Sequence, residues 1–334
     1  MTTESNGKIK VGLPSALMGY RLNPLLDHFF TNLGAEVVYS EQTNSQILEE
    51  GAALVNENIC TPFKIYFGHV ARLLKSCDYI PALRFVSEED RTYTCPKFMG
   101  LRSLLMNISF REQRDKFLPL EINMRKFTPH VKKGEQEKIL KAELAQIGEV
   151  FGKTEKQTHD YYHDALLVKE KFEQDMANGM ILPYDMKQPE NPDLSIGVIG
   201  HPYNIYDSYL SMNILSKLYR MNVKVITIEM VGKEISEKAA DTHMSKKLFW
   251  NYEREIVGSV AYLLENNLVD GILFLDSFPC GPDSLMSVFL NQISNNLDGK
   301  LMAIVLAELD SDTGLKTRVE AFVNSIRGVK AGVI

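Results

Sequence analysis

Short apolar runs alternate with helix-period segments twice along this chain, and that repeated grammar constrains the fold more than any other feature. Lys8-Ile9-Lys10-Val11-Gly12-Leu13 reads as an opening strand, and Leu25, Leu26, Phe29, Phe30 and Leu33 share one face of the helix that follows. Gly34 stands where a left-handed residue would cap that helix, and Glu36 to Tyr39 reads as the next strand. Strand, helix, strand in that order predicts parallel pairing. A second helix is predicted from about Pro62 to Lys75, then strands over Asp78 to Leu83 and Phe117 to Glu121.

The pattern changes from Gln136 to Met180, where two charge-rich helical stripes run through Ile139–Phe151 and Tyr161–Phe172. Pro183 to Pro192, with three prolines, marks a boundary. The same grammar then restarts. Strands are predicted at Ile196–Ile199, Val223–Ile228, Gly271–Leu275 and Leu301–Leu306. Helices are predicted at Tyr209–Leu218, Leu248–Leu264, Asp283–Ile293 and Leu315–Ile326. The fold class that follows is α/β: two Rossmann-like parallel-sheet domains over 8–130 and 193–328, with a helical connector and linker over 131–192.

A chain of 334 residues has the length for two such domains. Its net charge of −6 argues against a nucleic-acid partner, and Lys132-Lys133 is too short a basic stretch to change that. Met1 to Gly7 is polar with no apolar secretion signal, and no run of about 18 apolar residues occurs that would span a membrane. The expected location is therefore cytoplasmic, where a cysteine is more often buried, metal-bound or catalytic than disulfide-bonded.

The chain has four cysteines: Cys60, Cys77, Cys95 and Cys280. Cys60, Cys95 and Cys280 each fall in a loop that leads into a predicted helix, where α/β sheets bind ligands. A helix N-terminus favours negative charge, which lowers the cost of a thiolate. Pro62, Pro96, Pro279 and Pro282 stiffen these loops, and Gly281 would let the backbone approach a bulky inorganic group. No C-x-x-C pair is present, so neither a zinc-ribbon nor a ferredoxin signature applies. From the residues alone, a shared cluster and merely buried or loop-situated thiols both stand. Cys77, at a helix end beside a strand, reads as a packed core thiol.

Five segments carry a resemblance. They are Glu57-Asn58-Ile59-Cys60-Thr61-Pro62-Phe63-Lys64 with Gly68-His69-Val70; Cys95-Pro96; Gly200-His201-Pro202-Tyr203-Asn204; Phe278-Pro279-Cys280-Gly281-Pro282-Asp283-Ser284; and Gly314 to Phe322. Together they resemble the acyl-CoA dehydratase activase-related proteins, relatives of 2-hydroxyacyl-CoA dehydratase and benzoyl-CoA reductase subunits and of double-cubane cluster proteins. The resemblance implies one cubane-type [4Fe–4S] cluster on Cys60, Cys95 and Cys280 in an interdomain cleft, with its fourth iron open. It also implies low-potential electron transfer from an ATP-hydrolysing activase, an acyl-CoA or other small-molecule substrate, and a dimer or hetero-oligomer. A double cubane would need further ligands. His201 departs from the family's Gly-Arg-Pro-Tyr-like motif.

Other residues have competing readings. His69 reads as a helix-surface or capping histidine, and Lys64 as facing an anionic group or simply solvated. His201 and Glu308 are candidate catalytic groups, with Asp310 beside the latter; Asp276 and Ser277 would orient the Cys280 loop. Gly197-Val198-Ile199-Gly200 lacks the third glycine of a dinucleotide fingerprint, and there is no Walker A sequence, so any ATP would be hydrolysed by another protein. Two alternatives remain: a non-catalytic cluster-binding scaffold or accessory subunit, and a cluster-free small-molecule-binding protein.

Overall fold

The computed structural model describes residues 7–88, 92–123, 134–308 and 311–332. Lys132, Lys133, Asp310 and most of the Met1–Gly7 segment lie outside the described residues. The chain divides into two compact units, one of residues 1–57 and 63–172, the other of residues 58–62 and 173–334.

The first unit begins with β1 (Lys10–Leu13), α1 (Gly19–Leu33) and β2 (Glu36–Tyr39). Leu25, Leu26, Phe29 and Phe30 are buried along α1, and Gly34 closes it at φ 98° with its N–H on the carbonyls of Phe30 and Thr31. Next come α2 (Ser45–Ala52) and α3 (Thr61–Leu73), then β3 (Ile80–Ser87), α4 (Pro96–Leu104) and β4 (Phe117–Asn123). One turn of π-helix, Leu105–Ser109, and a 3₁₀ stretch, Arg111–Lys116, lie between α4 and β4. Two long helices follow, α5 (Glu135–Val150) and α6 (Glu155–Ala177), the last residues of α6, from Glu173, being assigned to the second unit. β1 pairs with β2 and β3 with β4, all parallel, and a parallel bridge between Val11 and Tyr79 links β1 to the start of β3.

The second unit carries β5 (Leu194–Gly200), α7 (Pro202–Tyr206), α8 (Ile214–Arg220), β6 (Val223–Thr227), α9 (Ile228–Val231), α10 (Lys233–His243) and α11 (Asn251–Glu265). It closes with β7 (Gly271–Ser277), α12 (Gly281–Asn296), β8 (Leu301–Leu306) and α13 (Asp312–Lys330). Its sheet is parallel throughout in the order β6-β5-β7-β8. The order reverses between β5 and β7, and the loops leaving those two strands diverge there. That divergence is where an open α/β sheet makes its ligand crevice. The core beneath is built from Ile199, Ile256, Val260, Ile272, Phe274 and Leu290, among others. No helix among the described residues is long and apolar enough to cross a membrane.

Several local outcomes differ from the sequence reading. The helix expected over Tyr209–Leu218 starts only at Ile214. Asp207 Oδ1 accepts the Tyr209 and Leu210 amides, each at 3.0 Å, and Met212 and Asn213 turn left-handed. The α2 helix was not anticipated, because its eight residues offer a short apolar stripe; Asn44 caps it by accepting the Ile47 amide at 3.0 Å. Finally, α4 begins at Pro96, directly after Cys95, rather than near Gly100.

Candidate functional site

All three predicted cluster cysteines stand immediately before a helix. Cys95 is the N-cap residue of α4 and Cys280 that of α12, each with proline in the first turn. Cys60 directly precedes α3, with Pro62 its second residue. Cys95 follows β3 and Cys280 follows β7, so each unit presents a cysteine where its third strand gives way to a helix. Cys60 and Cys280 fall in the second unit, and Cys95 falls in the first.

Within the second unit, the Thr61 amide and hydroxyl both point at the Phe278 carbonyl, each at 3.4 Å, and this ties the Cys60 segment to the loop before Cys280. That loop is fixed from the strand side too. The Cys280 amide donates to Ser277 O at 2.7 Å, and Ser277 donates its hydroxyl to Asn204 Oδ1. Asn204 in turn donates to Leu275 O at 3.2 Å. Ser277, the last residue of β7 rather than beyond the strand as the sequence suggested, therefore orients the loop.

The environment of Cys280 reverses one expectation. Burial pushes its thiol well above the ordinary range, and the carboxylates of Asp283 and Asp276, with Cys60, push the same way. The Asp283 backbone N–H, donated to the sulfur, pulls in the opposite direction without prevailing. A helix N-terminus alone does not make this sulfur a thiolate; a cation bound to it would. Gly281 is exposed, and a Cβ there would meet nothing within 4 Å beyond its own chain neighbours and helix backbone.

His201, the N-cap residue of α7, faces this corner. Its Nε2 lies 3.1 Å from Asp283 Oδ1, its ring stacks on Tyr203 at 4.9 Å, and Tyr252 meets it edge-on at 5.1 Å. His201, Asp276, Asp283 and Glu253 are all buried. Burial alone would lower the imidazole pKa, yet Asp283, Glu253 and Asp276 lift it above its ordinary value. Burial, with Asp283 adding to it, raises Asp276 to about 8. Burial likewise raises Glu253 to about 7, against the pull of His201. His201 Nδ1, Asp276 Oδ1 and both carboxylate oxygens of Asp283 are sealed from solvent without a hydrogen-bond partner of good geometry. Among the described residues, His201, Cys280 and Asp283 each place one donor atom within 4.8 Å of the others.

Sequence reasoning passed over Asp283 as a ligand and missed Glu253. Asp283 carried a usable signal, an acid one turn past Cys280 at a helix start. Glu253 carried none, since its helix is buried on every side from Asn251 to Ala261, and only the assembled fold shows that.

The remaining candidates sort plainly. Glu308 is exposed after β8. Cys77 is buried, and its thiol is pushed up chiefly by that burial, as a core thiol should be. His69 is not a surface histidine: it is fully buried and its Nε2 lies 3.0 Å from Thr43 Oγ1. Lys64 is also buried rather than solvated. The cause is α2, which lies against α3 so closely that Gly51 sits on the Lys64 carbonyl and Gly68 on the Ile47 carbonyl.

No curated protein matches the chain. A family model described as the CoA enzyme activase uncharacterised domain matches residues 10–231, a span that contains Cys60, Cys95 and His201 and ends before Cys280. With most of its length inside that match, the chain belongs to the CoA enzyme activase uncharacterised domain family.

Proposed function

We propose that this chain is an iron–sulfur component of a CoA-enzyme activation system, holding a [4Fe–4S] cluster on Cys60, Cys95 and Cys280. The observation that carries the reading is that Cys60 and Cys280, far apart in sequence, share one unit, where Thr61 beside Cys60 points its amide and hydroxyl at the carbonyl of Phe278, two residues before Cys280. The donor set fits the group. Each of the three thiols stands directly before a helix, and the half-buried Cys280 thiol, pushed up by its surroundings, is one that metal ligation would deprotonate.

When bound, such a cluster supplies one-electron transfer at low potential, tuned by burial and by hydrogen bonds to sulfur. The chain's own residues set that environment. The Asp283 amide donates to the Cys280 sulfur, and Ser277 and Asn204 fix the loop. The nearby carboxyls of Asp276 and Asp283 disfavour added electrons, which would hold the potential low. The electron donor in this reading is an ATP-hydrolysing activase, and the acceptor is an acyl-CoA or a CoA-linked enzyme.

Anaerobic protein should contain iron and acid-labile sulfide and, once reduced, give the paramagnetic resonance of a [4Fe–4S]⁺ cluster. Cys60→Ala, Cys95→Ala and Cys280→Ala should each lose most of the iron. Iron content unchanged in all three variants would overturn the reading.

A further inference from the structure

The buried corner around His201 gathers three acids about one imidazole, and its geometry is that of a single-ion site. We propose that His201 Nε2, Cys280 Sγ and a carboxylate oxygen of Asp283 bind one divalent transition-metal ion, with zinc the best match to the donor set.

Three observations support this. The donor atoms lie within 4.8 Å of one another. Donors around a tetrahedral ion with bonds of about 2.0–2.3 Å lie roughly 3.5 Å apart, so small rotamer adjustments close the gap. Asp283 is fully buried, and neither of its carboxylate oxygens has a hydrogen bond of good geometry, although Oδ1 stands 3.1 Å from His201 Nε2. Buried oxygens left in that state are costly unless something else engages them. Three buried acids, Asp276, Asp283 and Glu253, face the one imidazole of His201. A divalent ion would engage the Asp283 carboxylate, with the imidazole as a neutral ligand beside it.

A nitrogen, a sulfur and an oxygen donor together suit zinc better than calcium or magnesium, which take oxygen. Asp276, lying against Asp283, is the positioning residue for that carboxylate. Three protein donors leave a tetrahedral ion one open position for water or a small ligand. The single-ion site stands without the cluster reading. One consequence does rest on that reading: both occupants use the Cys280 sulfur, so the ion and the cluster exclude each other.

The test is an anaerobic titration of the full chain, freed of metal by chelation, with Co²⁺ followed by competition with Zn²⁺. One ion should bind per chain with a thiolate-to-cobalt absorption band. The band should vanish in Cys280→Ser, and affinity should fall at least about tenfold in His201→Gln and Asp283→Asn. Cys95→Ser should bind as the native chain does. A band that survives in Cys280→Ser, or that disappears in Cys95→Ser, overturns the proposal. X-ray absorption on the zinc-loaded native chain needs no variant: one sulfur with nitrogen and oxygen neighbours is expected, and an all-sulfur shell overturns the site. Iron–sulfur assembly that proceeds undiminished on zinc-loaded protein overturns the exclusion. Failure to assemble a cluster on zinc-free protein counts against the cluster reading alone.

Discussion

His201 Nε2 stands 3.1 Å from Asp283 Oδ1, with both side chains buried. The two groups reach that point from the ends of adjacent strands, β5 and β7, so the pair staples the place where the strand order reverses. Removing one partner from such a buried pair costs about 3–5 kcal/mol, because the other charge is left uncompensated. In metal-free protein, His201→Leu should destabilise the chain by about 3 kcal/mol on that scale in urea unfolding. A double-mutant cycle with Asp283→Asn should show coupling; effects additive within about 0.5 kcal/mol would remove the pair from the account.

His69 predicts a pH effect in the first unit. Burial lowers its pKa to about 4, with Glu41 opposing and Arg72 adding slightly. In the unfolded chain it titrates near its ordinary value of about 6.5. Between those values the unfolded chain binds more protons, so this contribution is complete above about pH 6.5 and is lost as pH falls toward 4. The ceiling is about 3 kcal/mol. Unfolding free energies measured at pH 7.5 and 5.0 should fall more steeply for the native chain than for His69→Gln, and equal slopes would contradict the assignment.

The contact of α2 with α3 depends on two glycines. A Cβ at Gly51 would overlap the Lys64 carbonyl and lie 2.7 Å from the Gly68 amide nitrogen; one at Gly68 would overlap the Ile47 carbonyl. Backbone cannot yield as a flexible side chain can, so Gly51→Ala and Gly68→Ala should each destabilise by about 1–3 kcal/mol. Gly100→Ala, which meets nothing, is the control and should be tolerated. Thermal unfolding of the three variants would separate them.

Asn204 is buried and ties α7 to the end of β7 through Leu275 O and Ser277 Oγ. Asn204→Asp keeps an acceptor for Ser277 but loses the donor to Leu275 O. It should cost about 1–3 kcal/mol, as should Asn204→Ala, which leaves both partners unsatisfied. Chemical denaturation of both variants checks this, and a neutral Asn204→Asp would show that the amide donor is dispensable.

Much of the α/β order was legible because the apolar period is strong where each element packs on a sheet. The face of α1 and its Gly34 cap, and the strands Glu36–Tyr39 and Leu301–Leu306, are local patterns that tertiary packing leaves alone. His69 and Lys64 were misplaced for the opposite reason. Their burial comes from α2, a helix too short to announce itself, brought close by glycines whose role appears only when two helices meet. At the site, proximity to helix starts was readable for Cys60, Cys95 and Cys280. Asp276 was named from the sequence beside the Cys280 loop, but Glu253, which acts on His201 from the separate helix α11, was not. The sign of the Cys280 shift followed its burial and the acids Asp283 and Asp276 rather than the helix end.

Residues 58–62 belong to the second unit while the polypeptide on both sides of them belongs to the first. Gene truncation therefore has an awkward geometry here. A fragment beginning at Glu173 would keep Cys280 and His201 yet discard Cys60 and the Thr61 contacts to Phe278. No single scission yields the second unit whole, so the two halves are poor candidates for separate inheritance or for being expressed apart.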